Sequence, residues 1–141
     1  MTSIFAKIIR GEIAARFVWK DQECVAFLSI NPLRSGHTLV VPRKEVDHWL
    51  DLDVGQMEHL VRTAQVIGKA QQIAFQPEKV ALMIAGLEVR HVHLHLVPIW
   101  DLHDLDFANA AREPDPASLD LAAAQIRAAL RDLGRTEVTG T

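Results

Sequence analysis

Residues 91 to 97 read His91-Val92-His93-Leu94-His95-Leu96-Val97. This alternates polar and apolar side chains with a period of two, which an extended chain sorts onto two faces. The three imidazoles leave one side of such a strand and the aliphatic set leaves the other. Burying the aliphatic face fixes the register, because a slip of one residue would drive three imidazoles into the core. The row therefore calls for a sheet with one face packed on a core and the other available for chemistry.

The rest of the chain supplies elements for that sheet. Residues 3–10 place Ile4 and Ile8 on one helical face with Phe5 beside them, and Gly11 follows as a stop. Phe17-Val18-Trp19 and Cys24-Val25-Ala26-Phe27-Leu28 read as two antiparallel strands joined at Asp21-Gln22-Glu23. Residues 37–41 form a third strand that Pro42 ends. Asp53, with Gln56 three residues on, opens a helix over 54–75 whose stripe is Leu60, Ala64, Ile67 and Ala74. Strands at 80–84 and 91–97 follow, separated by a turn around Gly86. Residues 101–117 read as a surface excursion. Ser118 then caps a last helix with Leu119, Ile126, Leu130 and Leu133 on one face.

Composition narrows the function. A chain of 141 residues, 49% hydrophobic and 23% charged, suits one globular domain. The formal net charge of -3 offers no basic field for a nucleic-acid backbone. No apolar run approaches the ~20 residues that span a bilayer, and Met1 to Lys7 lack the flank and apolar stretch of a signal peptide. The expectation is a cytoplasmic protein that binds neither membrane nor nucleic acid. Cys24 is the single cysteine. It excludes an intramolecular disulfide and a Cys-x-x-Cys knuckle, and its apolar surroundings predict a buried thiol.

Two chemistries use a histidine row. His-x-His can set two nitrogens on one Zn²⁺, with His48 as a further imidazole, but His91 and His95 have Cα atoms about 13 Å apart in a regular strand, awkward for three-fold chelation. Phosphoryl chemistry fits better. Neutral imidazole is a good nucleophile near pH 7 and a good leaving group from phosphorus. His93, flanked on both sides, then leads, with His95 donating to a phosphate oxygen or the leaving group and His91 bracing the site. No Walker-type phosphate cradle is present.

The chain resembles the histidine triad family, whose signature is His-x-His-x-His followed by two apolar residues. The likeness runs from Ser3 to Pro98 and includes Ser3-Ile4-Phe5-Ala6-Lys7-Ile8-Ile9, Ala26-Phe27-Leu28-Ser29-Ile30-Asn31-Pro32, Gly36-His37-Thr38-Leu39-Val40-Val41-Pro42 and Gly86-Leu87-Glu88-Val89. The resemblance implies an α+β fold, with a five-stranded antiparallel sheet and a long helix, completed as a homodimer through that helix and a strand. Residues 1–100 would form the catalytic domain. Residues 101–141 would be a C-terminal extension, as in a bacterial subgroup, with its helix packed on the same domain.

The resemblance also implies cleavage at the α-phosphate of a purine nucleoside 5′-phosphoramidate or related nucleotidyl conjugate, through a nucleotidyl-histidine and without a cofactor. Dinucleoside polyphosphate hydrolysis is the alternative within this class, and a nucleotide- or metal-binding module with little turnover the alternative outside it. By position, His93 matches the nucleophile and His95 the phosphate-binding histidine. His91 matches the member whose backbone carbonyl orients the nucleophile, and His37 a supporting fourth. Ile4, Phe5, Ile8, Phe27 and Ile30 match the apolar positions around a purine, and the same residues are what a small core requires. Glu88 and Val89 match the loop beside the phosphate. Ser29 stands where many relatives have an Asp on the ribose hydroxyls, and Leu87 where many have a Gln, whose hydrogen bonds Leu cannot make. Some bacterial relatives hold a structural zinc through N-terminal cysteines. With Ala6 at one of those positions and Cys24 alone elsewhere, no metal is expected. Asp104, Asp106 and Asn109 lie in a loop able to approach the site, although a solvated polar face is the simpler expectation.

Overall fold

The computed structural model describes residues 2–139. Met1 and residues 140 and 141, the outer ends of the two segments expected above, lie outside the described residues. Five strands form one antiparallel sheet in the order β1-β2-β3-β5-β4: β1 (Phe17–Lys20), β2 (Cys24–Leu28), β3 (Thr38–Pro42), β4 (Lys79–Met83) and β5 (Leu94–Ile99). Three α-helices accompany it: α1 (Ile4–Ile9), α2 (Val54–Phe75) and α3 (Pro116–Asp132). The fold is α+β, as expected.

The central strands are buried on both faces, and their alternation sorts two cores. Cys24, Ala26 and Leu28 of β2, Val40 of β3, and Leu94 and Leu96 of β5 pack with Leu60, Ala64 and Ile67 of α2 and with Ala122, Ile126 and Leu130 of α3. Val25, Phe27, Leu39 and Val41 point the other way, onto Phe5 and Ile8 of α1. Each fully buried Leu or Ile contributes roughly 1.5–3 kcal/mol. The face shared with α1 holds the histidines.

Several boundaries differ from the expectation. β5 begins at Leu94, so His91 and His93 precede it. The β3–β5 ladder runs Thr38↔Leu96, Leu39↔His95, Val40↔Leu94. Continued inward, it would reach Pro42, which has no N–H to give. The Val92 N–H donates to the Val46 carbonyl instead, at 2.8 Å. At its other end β5 passes through Pro98 to Ile99, where it pairs only with β4. The last helix is capped by Asp115, whose carboxylate accepts from the Ala117 N–H at 3.1 Å, with Pro116 in the first turn. Ser118 lies inside that helix, and Leu133 falls at its C-cap, exposed rather than on the buried face. In α1 the buried residues are Phe5, Ala6 and Ile8, while Ile4 is 44% exposed.

α2 begins where the Gln56 side chain accepts from the Asp53 N–H at 3.3 Å, and ends with Gln76 in the left-handed region before Pro77. In its last turns it buries Gln71, whose Nε2 donates to the carbonyls of Gly36 (2.9 Å) and Leu96 (3.0 Å). That amide ties the loop before β3 to β5. Among the described residues, no helix is long and apolar enough to cross a membrane.

Candidate active site

The hydrogen bonds around the four histidines determine which nitrogen of each carries its proton. The Leu33 N–H donates to His37 Nδ1 at 3.0 Å, so Nδ1 holds the lone pair and Nε2 the hydrogen. His37 Nε2 donates in turn to His95 Nδ1 at 2.9 Å. His95 is left with its hydrogen on Nε2.

A second chain of bonds produces the opposite result on His93. His91 Nε2 lies 2.8 Å from the Pro42 carbonyl and must donate to it, so His91 Nδ1 accepts from the Ser3 hydroxyl at 2.6 Å. Ser3, the N-cap of α1, also accepts from the Ala6 N–H at 2.9 Å. The His91 backbone carbonyl accepts from His93 Nδ1 at 2.7 Å. His93 therefore carries its hydrogen on Nδ1 and a lone pair on Nε2. The His93 and His95 rings are 4.7 Å apart, the first offering a lone pair and the second an N–H.

Burial keeps these rings neutral. It pushes His37 down to about 3, reinforced by His95 and His93. It pushes His95 down to about 4, helped by neighbouring His93. His91 and His93 are lowered by burial too, against a raising contribution from the carbonyl each one faces. At neutral pH the row is uncharged, the form in which imidazole is a nucleophile.

His93 and His95 line a cavity of about 630 Å³. Phe5, Ile8 and Phe27 form part of its apolar wall, and the Phe5 ring meets the His93 ring edge-on at 4.8 Å. Ile4, Ser29 and Ile30 lie at its rim, and Glu88 and Val89 bound it from the loop before His91. The ten expected residues that were to touch ligand thus share one cavity. His37 and His91 do not line it; they stand behind His95 and His93 and hold them.

The loop after β5 also reaches this cavity, through residues other than the expected ones. Phe107 lies in the wall with its ring 5.5 Å from His95, and Arg112 lies nearby. Asp104 instead binds Arg34 (2.7 Å) and the Trp100 N–H (2.7 Å), Asp106 caps the short turn at 107–109, and Asn109 donates to the His103 carbonyl. Phe107 is the one Phe, Trp or Tyr between residues 101 and 117, and that was the signal available for it. His48 stands exposed at the cap of the short turn at 49–51, apart from the triad.

A second concavity, about 1110 Å³, runs along α2 and β4 away from the histidines. It is lined by Leu50, Val54, Val61 and Leu82, all exposed apolar residues.

Comparison with known proteins gives a consistent result. Residues 10–101 match the model of the HIT domain. An uncharacterized HIT-like protein of Methanocaldococcus jannaschii is 36% identical over 102 residues, covering 70% of this chain and 79% of its own. Among solved structures, a Hit-like protein of Bartonella henselae involved in cell-cycle regulation, crystallised with an unknown ligand, is 33% identical. It covers 91% of this chain and 96% of its own, with a TM-score of 0.79. A zinc-bound histidine triad family protein of Mycobacterium smegmatis is 26% identical, covering 95% and 96%, with a TM-score of 0.81.

Proposed function

This chain belongs to the HIT family, and from that premise we propose that it is a nucleotidyl hydrolase or transferase acting at the α-phosphate of a purine nucleoside 5′-phosphoramidate or a related conjugate. The observation that carries the reading is the pair of opposite tautomers facing one cavity, a lone pair on His93 Nε2 beside an N–H on His95 Nε2. An N–H alone would hold a phosphate oxygen without attacking, and a lone pair alone would face that oxygen unfavourably. The pair supports attack and charge stabilisation together.

In this mechanism His93 Nε2 forms a bond to phosphorus as the bond to the leaving amine breaks. The imidazole then carries positive charge, which the His91 carbonyl on Nδ1 stabilises through a charge-assisted hydrogen bond. His95 Nε2–H donates toward a non-bridging oxygen or the leaving group, and His37 holds it in that tautomer. The amine takes a proton from solvent as it leaves; water next attacks phosphorus, gives a proton back to solvent as the bond to His93 breaks, and the nucleoside monophosphate departs with His93 neutral again. Phe5, Ile8 and Phe27 supply an apolar wall for the base, and the Ser29 hydroxyl is available to the ribose. No step calls on a cofactor. The single thiol suits a cytoplasmic setting.

Rapidly quenched intact-mass measurement with adenosine 5′-phosphoramidate tests this. The expected result is an adenylyl adduct on the wild-type chain, absent from His93→Ala, with adenosine monophosphate released. If phosphoramidate is inert while a diadenosine polyphosphate is cleaved, the leaving group is reassigned. Binding with neither adduct nor product would make the chain a binding module.

We further propose a homodimer through α2 and β4, supported by the exposed apolar groove along them. Sedimentation equilibrium is expected to return twice the chain mass; a value of 15.7 kDa at micromolar concentration would exclude it.

A further inference from the structure

On the helix side of the sheet, opposite the cavity, Asp21, Cys24 and His59 converge. The turn between β1 and β2 places the first two, because Asp21 Oδ1 accepts the N–H groups of Glu23 (2.7 Å) and Cys24 (2.8 Å) and so bends the chain around its own carboxylate. α2 brings His59 to the same point. Asp21 Oδ2 lies 2.8 Å from His59 Nε2 and 3.6 Å from Cys24 Sγ, and one donor atom from each residue falls within 4.8 Å of the others. Four tetrahedral ligands at 2.0–2.3 Å from an ion are separated by roughly 3.3–3.7 Å. Oδ2 and Sγ already stand at that spacing, while Oδ2 and Nε2, now at hydrogen-bond distance, would part by about half an ångström, with Oδ2 keeping the N–H of Trp19 Nε1 at 2.9 Å.

His59 also has a second carboxylate beside it. Its Nδ1 lies 3.0 Å from Glu23 Oε2, while its Nε2 faces the Asp21 carboxylate. A neutral imidazole between two carboxylates must turn one lone pair against an oxygen. Either a second ring proton or a cation at Nε2 removes that conflict, and in the second case Glu23 stands on the side of the ring where a carboxylate orients metal-binding histidines. The side chains of Asp21 and His59 keep 16% and 24% of their exposure, so an ion reaches them from solvent, while Cys24 supplies sulfur from beneath.

We propose that Asp21 Oδ2, Cys24 Sγ and His59 Nε2 bind a divalent ion of the zinc class, with Glu23 orienting His59 through Nδ1 and a water as fourth ligand. Sulfur and imidazole donors select zinc-class ions over magnesium and calcium. On binding, the Cys24 thiol releases its proton to solvent and coordinates as thiolate. Asp21 and His59 contribute lone pairs, and no oxidation state changes. The ion would pin the β1–β2 turn to α2. This departs from the expectation drawn from Ala6 and a solitary cysteine, because two of the three donors are not cysteines and the fold gathers them.

Cobalt(II) is the probe, since its thiolate charge-transfer absorption reports sulfur coordination directly. The chain has one cysteine, so such a band can arise only from Cys24. Titration of the full chain is expected to give the band saturating at one ion per chain, and zinc to abolish it by displacement. Cys24→Ser is expected to lose the band, and His59→Ala to bind at least roughly tenfold more weakly. His59 lies partly at the surface, so that variant keeps its fold. Saturating cobalt without a thiolate band, including binding at the triad histidines, would overturn the site. So would a band unchanged in His59→Ala.

Discussion

His93→Ala is expected to lose on the order of 10⁴–10⁶-fold in kcat toward adenosine phosphoramidate while binding adenosine monophosphate within a few-fold of wild type. The loss is that large because no neighbour can replace the missing lone pair. His95 has spent its Nδ1 lone pair on the His37 N–H and turns a hydrogen toward the cavity. His37 and His91 stand outside it, each with both ring nitrogens engaged. The base and ribose contacts are untouched, so affinity survives. His95→Ala removes a donor rather than the nucleophile and is expected to cost a smaller factor, roughly 10²–10³. Steady-state rates with both variants, beside equilibrium binding of the monophosphate, check the ranking. Retention by His93→Ala of a rate within tenfold of wild type would end the assignment of the nucleophile.

What could be read from the sequence was whatever depends on periodicity and local chemistry. The alternation from His91 to Val97 predicted a strand with imidazoles on one face, and Leu94 and Leu96 do enter the helix-side core while His95 faces the cavity. The stripe of Leu60, Ala64 and Ile67 predicted α2, whose bounds agree. The start of β5 was misplaced because it depends on Pro42, a residue far away in sequence whose missing N–H ends the ladder. Tautomers were beyond reach for the same reason: they rest on the Pro42 carbonyl, the Leu33 N–H and the Ser3 hydroxyl, which only the folded chain brings to the rings. Phe107 was missed because polar neighbours mask it, and the acidic residues singled out beside it turn to Arg34 and to backbone N–H groups. The meeting of Asp21 with His59 is likewise tertiary, since neither the turn nor α2 announces the other.

Gly36→Ala is the substitution expected to damage fold and site together, at about 2–5 kcal/mol. Gly36 has φ +89°, a conformation that costs an L side chain roughly 1–2 kcal/mol. A Cβ there would also fall 2.2 Å from Cε2 of Phe75, the last residue of α2, and overpacking of this kind costs typically 1–3 kcal/mol. Tm is therefore expected to fall by roughly 5–20 °C. The loop cannot simply move aside. Its Gly36 carbonyl accepts from Thr38 Oγ1 (2.8 Å) and Gln71 Nε2 (2.9 Å), and the next residue is His37, which fixes the tautomer of His95. A shift of the loop that relieves Phe75 loosens the His37–His95 bond, so kcat should fall along with stability where the loop rather than the ring gives way. A double-mutant cycle with Phe75→Ala separates the steric contribution from the backbone one. If the ring is what the new methyl meets, Gly36→Ala will cost at least ~1 kcal/mol less in the Phe75→Ala background than in wild type, a departure from additivity expected of residues in contact. Costs that add within ~0.5 kcal/mol would show that the backbone angle alone demands glycine, and that the contact with α2 does not set the position of His37.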